Sequence, residues 1–255
     1  MILNELKRVI TSKKFIIVII IGLLLAFISV YIDIKQYIFF NYDAPDLQTL
    51  ELQEKAKVMV ENGLNKYSVF FSSFLMSIVT MPILSVLPFG LSYIEDKEYG
   101  IIKQIDMRIN HRKYILSKLL VNGIAGGLAI IIPTIILSIL IFTFFKGSIT
   151  SFYGYGKMGG PFIRLLTENF GVYIMIHIFI NFSLGFAYAS IGLAISAFIK
   201  NKIAIIFSPF LFWILGSMFC SILNIYNYSP SSISQFYRSV DMTISNIFYS
   251  NLHYY

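Results

Sequence analysis

Apolar residues gather into five long runs, at 15–32, 69–94, 119–145, 171–199 and 203–225, and none of these contains Asp, Glu, Lys or Arg. A bilayer core about 30 Å thick is crossed by about 20 apolar residues in helical form. Lipid offers no hydrogen bonds to a backbone, so each run predicts a transmembrane helix. Lys13 and Lys14 precede the first run as they would in a signal peptide. That run is too long for a signal and lacks a closing small-residue cleavage pattern, so it reads as a retained span.

The polar segments between the runs have their own patterns. In 1–14, Ile2, Leu3, Leu6, Val9 and Ile10 share one helical face, while Glu5, Lys7, Arg8 and Ser12 take the other. This predicts a short amphipathic helix on the membrane surface, or more simply a charged flank that fixes orientation. Segment 33–68 is polar and mixed in charge, with helical spacing over 47–64. Segment 146–170 is a glycine-rich loop, and 200–202 is a tight turn that makes spans four and five a hairpin. The tail, 226–255, is rich in Tyr and Phe but carries only Arg238 and Asp241, as suits the outer membrane interface. The whole chain therefore reads as one transmembrane domain: an all-α polytopic helical bundle with five spans.

Composition agrees. Of 255 residues, 57% are hydrophobic and 13% charged, with a mean hydropathy of +0.75. Soluble domains carry about 25% charged residues. The net charge of +7 raises the question of nucleic acid, and the placement of the cations answers it. With the N-terminus in the cytoplasm, segments 1–14, 95–118 and 200–202 hold 12 Lys and Arg in 41 positions. The outer segments hold 8 in 91. This is the positive-inside pattern, and it directs the charge to anionic membrane lipid and away from nucleic acid. The single cysteine, Cys220, lies in an apolar run and reads as a small core residue.

The loop at 95–118 is the most informative. Glu95, Asp96 and Glu98 come first, then Gly100, then a new helical stripe of Ile101, Ile105 and Ile109. Such a helix across the inner end of a bundle can dock into a groove on another protein. The same spacing also arises by chance in a solvated connector.

Glu98-Tyr99-Gly100-Ile101, then Arg108-Ile109-Asn110-His111-Arg112, then Ser117-Lys118 resembles the span-two to span-three loop of type-2 ATP-binding-cassette (ABC) exporter permeases. That loop reads approximately E-x-G-T, a hydrophobic stretch, R-P-x-S-R and S-K. Glu98, Gly100, Arg108, Arg112, Ser117 and Lys118 match, whereas Ile101 stands where the family has threonine and Ile109 where it has proline. The amphipathic start, the long first external segment, the short turn between spans four and five, and the Ser229-Pro230 step extend the likeness along nearly the whole chain. The resemblance implies a permease subunit of the bacterial plasma membrane. Its coupling helix, with Glu98, Gly100, Ile101, Ile105, Arg108, Arg112 and Lys118, would sit on a separate cytoplasmic ATPase over 95–113. The permease would bind no ATP itself and hold no cofactor. It would work beside a second permease copy or a related permease. Cargo in that family includes drugs, antimicrobial peptides and lipid-like molecules, and some members confer self-immunity.

Other features bear on the alternatives. No phosphate-binding G-x-x-x-x-G-K-[ST] occurs, and the G-x-G-x-x-G at Gly154, Gly156 and Gly159 lies in a loop with no strand before it. No span contains a carboxylate, which counts against a self-powered, ion-coupled carrier. No H-E-x-x-H or G-x-S-x-G motif supports a membrane enzyme, leaving that reading, or a scaffold, without a motif. Asn122, His177 and Asn181 are the notable polar residues inside spans, either as packing contacts or as lining of a substrate path. Gly123 with Gly127, and Gly185 with Ala189, are spaced for close helix approach, and Pro82, Pro88 and Pro133 for bends. Five spans end the chain outside, one short of the six-span layout of the resembled family. A chain truncated before the last span, a five-span variant, and a last helix borrowed from a partner all meet that count.

Overall fold

The computed structural model describes residues 2–45, 47, 49–102, 107, 110–152 and 157–238, and among them every regular element is a helix. In chain order these are α1 (Ile2–Ile10), α2 (Lys13–Ile38), α3 (Leu50–Gly63), α4 (Lys66–Ser72), α5 (Leu75–Val86), α6 (Ser92–Glu98), α7 (His111–Phe144), α8 (Ile163–Glu168), α9 (Phe170–Ser196), α10 (Lys202–Ile222) and α11 (Pro230–Ser234). Three single 3-10 turns join them, at Gly160–Phe162, Tyr226–Tyr228 and Phe236–Arg238.

Helices α2, α7, α9 and α10 are each long and apolar enough to cross a membrane, and α4 with α5 makes a fifth span if the pair, bent by 41°, is counted as one. The bundle exposes apolar side chains that water would not tolerate in such number. Leu24 and Ile28 on α2, and Leu215 and Phe219 on α10, are about half exposed or more. Lipid is the solvent that such faces require.

The second apolar run departs from expectation. It is not one helix but three, α4, α5 and α6, broken at residues 73–74 and again at 87–91. Pro88 accounts for the second break, because proline has no N–H to continue a helix. The first break has no proline. There the hydroxyl of Ser29, reaching across from α2, donates to the carbonyl of Ser72 at 2.6 Å and accepts from the amide of Met76 at 3.4 Å. Those two backbone groups are four residues apart and would otherwise bond each other. A side chain inserted into the helical ladder is a recognised cause of a bend.

The third run also begins earlier than its apolar residues suggest. Asn110 caps α7, its side-chain oxygen accepting the Arg112 amide at 3.0 Å, so residues 111–118 belong to the helix and not to a loop.

Helix α7 packs most extensively on α9. A Cβ added at Gly126 would meet the side chain of Ala189 and lie 2.7 Å from the Ser85 carbonyl and 2.9 Å from the Gly185 carbonyl. One added at Gly185 would lie 3.0 Å from the Gly127 Cα. Small residues here set the spacing of the central helix pair. Gly22 of α2 similarly makes room for the ring of Pro133, which stays inside α7 without ending it.

The polar segments sort to two ends. One end collects α1, α6 and the first turns of α2, α7 and α10. The other collects α3, α8 and α11. Here the Asn65 side chain donates to the Ser148 carbonyl at 2.9 Å, and the Gly159 amide to the Tyr237 carbonyl at 2.8 Å. The described part of the tail does not spread along an interface. It turns inward, with Phe236 and Tyr237 buried in the core. Gly159 and Gly160 adopt φ of +121° and +58°, and the backbone of Phe236 occupies the space where a Gly160 side chain would stand.

Candidate functional site

At the basic end, α6 is a single short helix with three acidic residues, and each of them pairs with a cation on a different long helix. Glu95 meets Lys14 of α2 at 2.7 Å, Asp96 meets Lys118 of α7 at 2.7 Å, and Glu98 meets Lys202 of α10 at 2.8 Å. Helical geometry turns successive residues about 100° apart, so neighbouring acids project to different sides. A helix wedged among three others can therefore address all of them.

The three pairs are not equal in kind. Lys14–Glu95 and Lys202–Glu98 are about one-third to three-fifths exposed, and such surface pairs contribute about 0–1 kcal/mol. The Lys118 side chain is 1% exposed and that of Asp96 9%. Asp96 also accepts a hydrogen bond from the Tyr114 hydroxyl at 2.7 Å. Lys118 faces Glu5 of α1 at 3.5 Å, and its ammonium lies 4.5 Å from the centre of the Phe89 ring. Glu5 in turn pairs with Arg8 at 3.2 Å. Lys118 makes an ion pair rather than an aligned hydrogen bond with Asp96. The cluster thus joins α1, α6 and α7 around the buried ammonium of Lys118.

This arrangement changes the reading of individual residues. Glu5 turns inward toward Lys118 instead of lying on an outer polar face. On the same side of α1, Val9 is buried, while Ile2, Leu3 and Ile10 are exposed. Glu98 is half-exposed at the end of α6. Gly100 has φ +68° with open space around it, a turn that glycine adopts without strain. Ile101 is half-buried and Arg112 exposed. Ile105, Ile109 and Arg108 lie outside the described residues. Lys118 is an internal brace and has no surface to offer a partner. Ser117 beside it is buried, its hydroxyl returned to the Tyr114 carbonyl at 2.8 Å.

Asn122, His177 and Asn181 do not form one site. Asn122 is fully buried and donates to the Ala189 carbonyl at 2.6 Å, tying α7 to α9. Ala189 is eight residues from Asn181, about 12 Å along a helix. His177 and Asn181 do share a face, and the Asn181 amide donates to the His177 carbonyl at 2.9 Å. The His177 ring sits among Phe70, Phe74, Tyr173, Phe236 and Tyr237, nearest to Phe74 at 4.3 Å between ring centres. Neither ring nitrogen has a hydrogen-bond partner among the described residues, nor do the hydroxyls of Tyr173 and Tyr237. Burial pushes the Tyr237 phenol above its ordinary pKa. The adjoining cavity, lined by Ser77, Thr134, His177, Asn181 and Tyr237, has about 10 Å³, which is room for about one water. In this conformation it is not a passage for an organic molecule. Cys220 is buried, and Trp213 is half-buried and stacks on Phe210. Among the described residues no group of three His, Cys, Asp or Glu side chains is placed to share a metal ion.

The fold defines an all-α bundle with the long apolar helices of a membrane protein. No family model, curated protein or solved structure matches the chain.

Proposed function

We propose that the chain is the permease subunit of an ABC exporter in a bacterial plasma membrane, driven by a separate ATPase that docks on the 95–113 loop. The observation that carries this reading is the bracing of α6 by Lys14, Lys118 and Lys202. A loop pushed by an external motor moves a bundle only if it is tied to several helices, and this one is tied to three. The resemblance of Glu98, Gly100, Arg112 and Lys118 to the coupling loop of type-2 permeases points to the same end. The density of Lys and Arg on that end supports placing it in the cytoplasm. The cargo consistent with a lipid-facing bundle, whose cavity beside His177 and Asn181 has only about 10 Å³, is amphipathic: a drug, an antimicrobial peptide or a lipid-like molecule.

A self-powered carrier would need a carboxylate free to bind and release an ion between the spans. Among the described residues the buried carboxylate is that of Asp96, which is already charge-compensated by Lys118 and lies at the end of the bundle, which favours a brace.

The test is co-purification of the full chain with soluble ABC ATPases of the cell that produces it. Arg112→Glu, on an exposed residue, is expected to abolish the complex while leaving the melting temperature in detergent unchanged. Retention of both the complex and transport by Arg112→Glu would overturn the docking assignment.

A further inference from the structure

At the basic end a cavity of about 360 Å³ opens between α1, the first turn of α2 and the break that precedes α6. That volume lies within the roughly 300–1,000 Å³ range of small-molecule sites. Its walls have two characters. Val9, Leu87, Pro88 and Phe89 make one side apolar, and the other is charged, with Arg8, Lys13 and Lys14 beside the carboxylates of Glu95 and Asp96. It sits where α2 passes from Ser12-Lys13-Lys14 into its long apolar run, and the next exposed side chains along that helix are Ile16, Ile17 and Ile20. In a chain whose basic end faces the cytoplasm, this is the depth of the inner-leaflet phosphates.

The charges select the occupant. Lys14 is paired with Glu95, Lys118 with Asp96, and Arg8 with Glu5. Lys13 lines the cavity, is exposed, and has no ion-pair partner among the described residues. One positive charge is left over, beside an apolar wall that continues onto a lipid-facing helix. A phosphodiester with one negative charge and attached acyl chains complements both features at once. A zwitterionic head would bring a further cation to a site whose two carboxylates, Glu95 and Asp96, already have theirs, and a water-soluble phosphate would leave the apolar wall unused.

We propose that this cavity holds the head group of an anionic phospholipid, with Lys13 and Arg8 on the phosphate and an acyl chain running down α2 past Ile16 and Ile20. Such a lipid would clasp α1 to the base of the coupling loop. The assignment rests on the cytoplasmic orientation proposed above but not on the ATPase, which the test omits.

Native mass spectrometry of the purified full chain in detergent tests it, with phosphatidylglycerol, phosphatidylcholine or glycerol 3-phosphate added. Phosphatidylglycerol is expected to bind best and glycerol 3-phosphate not to bind. Lys13→Gln is expected to weaken phosphatidylglycerol about fivefold, the effect of one cation near a charged membrane surface. Lys7→Gln removes an equal charge from an exposed position of α1 that does not line the cavity, and is expected to change nothing. Equal weakening by Lys7→Gln would mean diffuse surface attraction and overturn the site. Phosphatidylcholine binding as tightly as phosphatidylglycerol, or glycerol 3-phosphate binding alone, would overturn it too. Unaltered melting of both variants ensures that the comparison reads binding.

Discussion

The ammonium of Lys118 lies 2.7 Å from the carboxylate of Asp96, and both side chains are almost wholly withdrawn from solvent. Removing one partner of a buried pair strands the other charge and typically costs about 3–5 kcal/mol. Lys118→Met is therefore expected to be severely destabilising, as Asp96 and Glu5 would both lose their shared cation. Asp96→Asn with Lys118→Met removes both charges and is expected to restore much of the loss. A double-mutant cycle on thermal unfolding in detergent measures the coupling, and strictly additive effects would show that the pair is not a brace.

Ser29 is the second hidden brace. Its hydroxyl stands in for the helical bond that Ser72 and Met76 would otherwise make. Ser29→Ala leaves the buried Ser72 carbonyl and the part-buried Met76 amide without it, at about 1–3 kcal/mol if the bend persists. If α4 and α5 straighten instead, the stability loss is small but the distance between the Lys66 end of α4 and α7 changes. Spin labels on those two helices tell the cases apart, and an unchanged melting temperature with unchanged distances would deny Ser29 any part in the bend.

Gly126 tests the close approach of α7 and α9. An alanine in a helix gains up to about 1 kcal/mol over glycine. Here the added carbon would lie 2.7 Å from the Ser85 carbonyl and 2.9 Å from that of Gly185, which are backbone atoms that cannot rotate away. Overpacking costs about 1–3 kcal/mol, so the clash outweighs the propensity. Gly126→Ala is expected to lower the melting temperature, and Gly126→Val to lower it further. Gly171, at the start of α9, has among the described residues only the side chain of Asn169 nearby, at 3.5 Å, and Gly171→Ala is expected to be neutral.

The long helices were legible in the sequence because uncharged runs of that length have few other uses. So was the helix at Leu50–Gly63, through its spacing, and the sorting of basic residues to one end. The break at Ser73 and Phe74 was not legible, because its cause is Ser29, more than forty residues away and inside an uninterrupted apolar run. Nor was the burial of Lys118. The charge falls one residue before the run that marks span three, and only the fold brings Asp96, Tyr114 and Glu5 around it. The aromatic tail misled in the opposite way. Tyr and Phe suit an interface and a core equally, and the inward turn of Phe236 and Tyr237 depends on the glycines at 159 and 160.

His177 separates packing from passage. A buried imidazole with no hydrogen-bond partner, as His177 is among the described residues, carries a desolvation cost of about 1–3 kcal/mol. An apolar side chain of similar size would not carry that cost among the five rings around it. His177→Leu is expected to raise the melting temperature. Transport at the parental rate then assigns His177 to packing, and loss of transport in a stable protein assigns it to the cargo path.

Glu98 and Lys202 offer the sharpest test of transmission, because their pair is exposed and of little worth to stability. Their carboxylate and ammonium are 2.8 Å apart, with both side chains nearly half exposed. Breaking such a pair costs about 0–1 kcal/mol, so Glu98→Lys is expected to melt close to the parent. If α6 relays the motion of an ATPase to α10, the same change severs one of the relay's three ties. Coupling between sites is typically about 1–3 kcal/mol, or five- to 150-fold. With two ties left, a loss near the lower limit is expected, seen as about fivefold weaker stimulation of the ATPase by cargo. Glu98→Lys combined with Lys202→Glu rebuilds the pair in reverse and is expected to recover the stimulation. A surface contact without mechanical purpose would show neither the loss nor the rescue, whereas a direct contact of Glu98 with the ATPase would show the loss and no rescue.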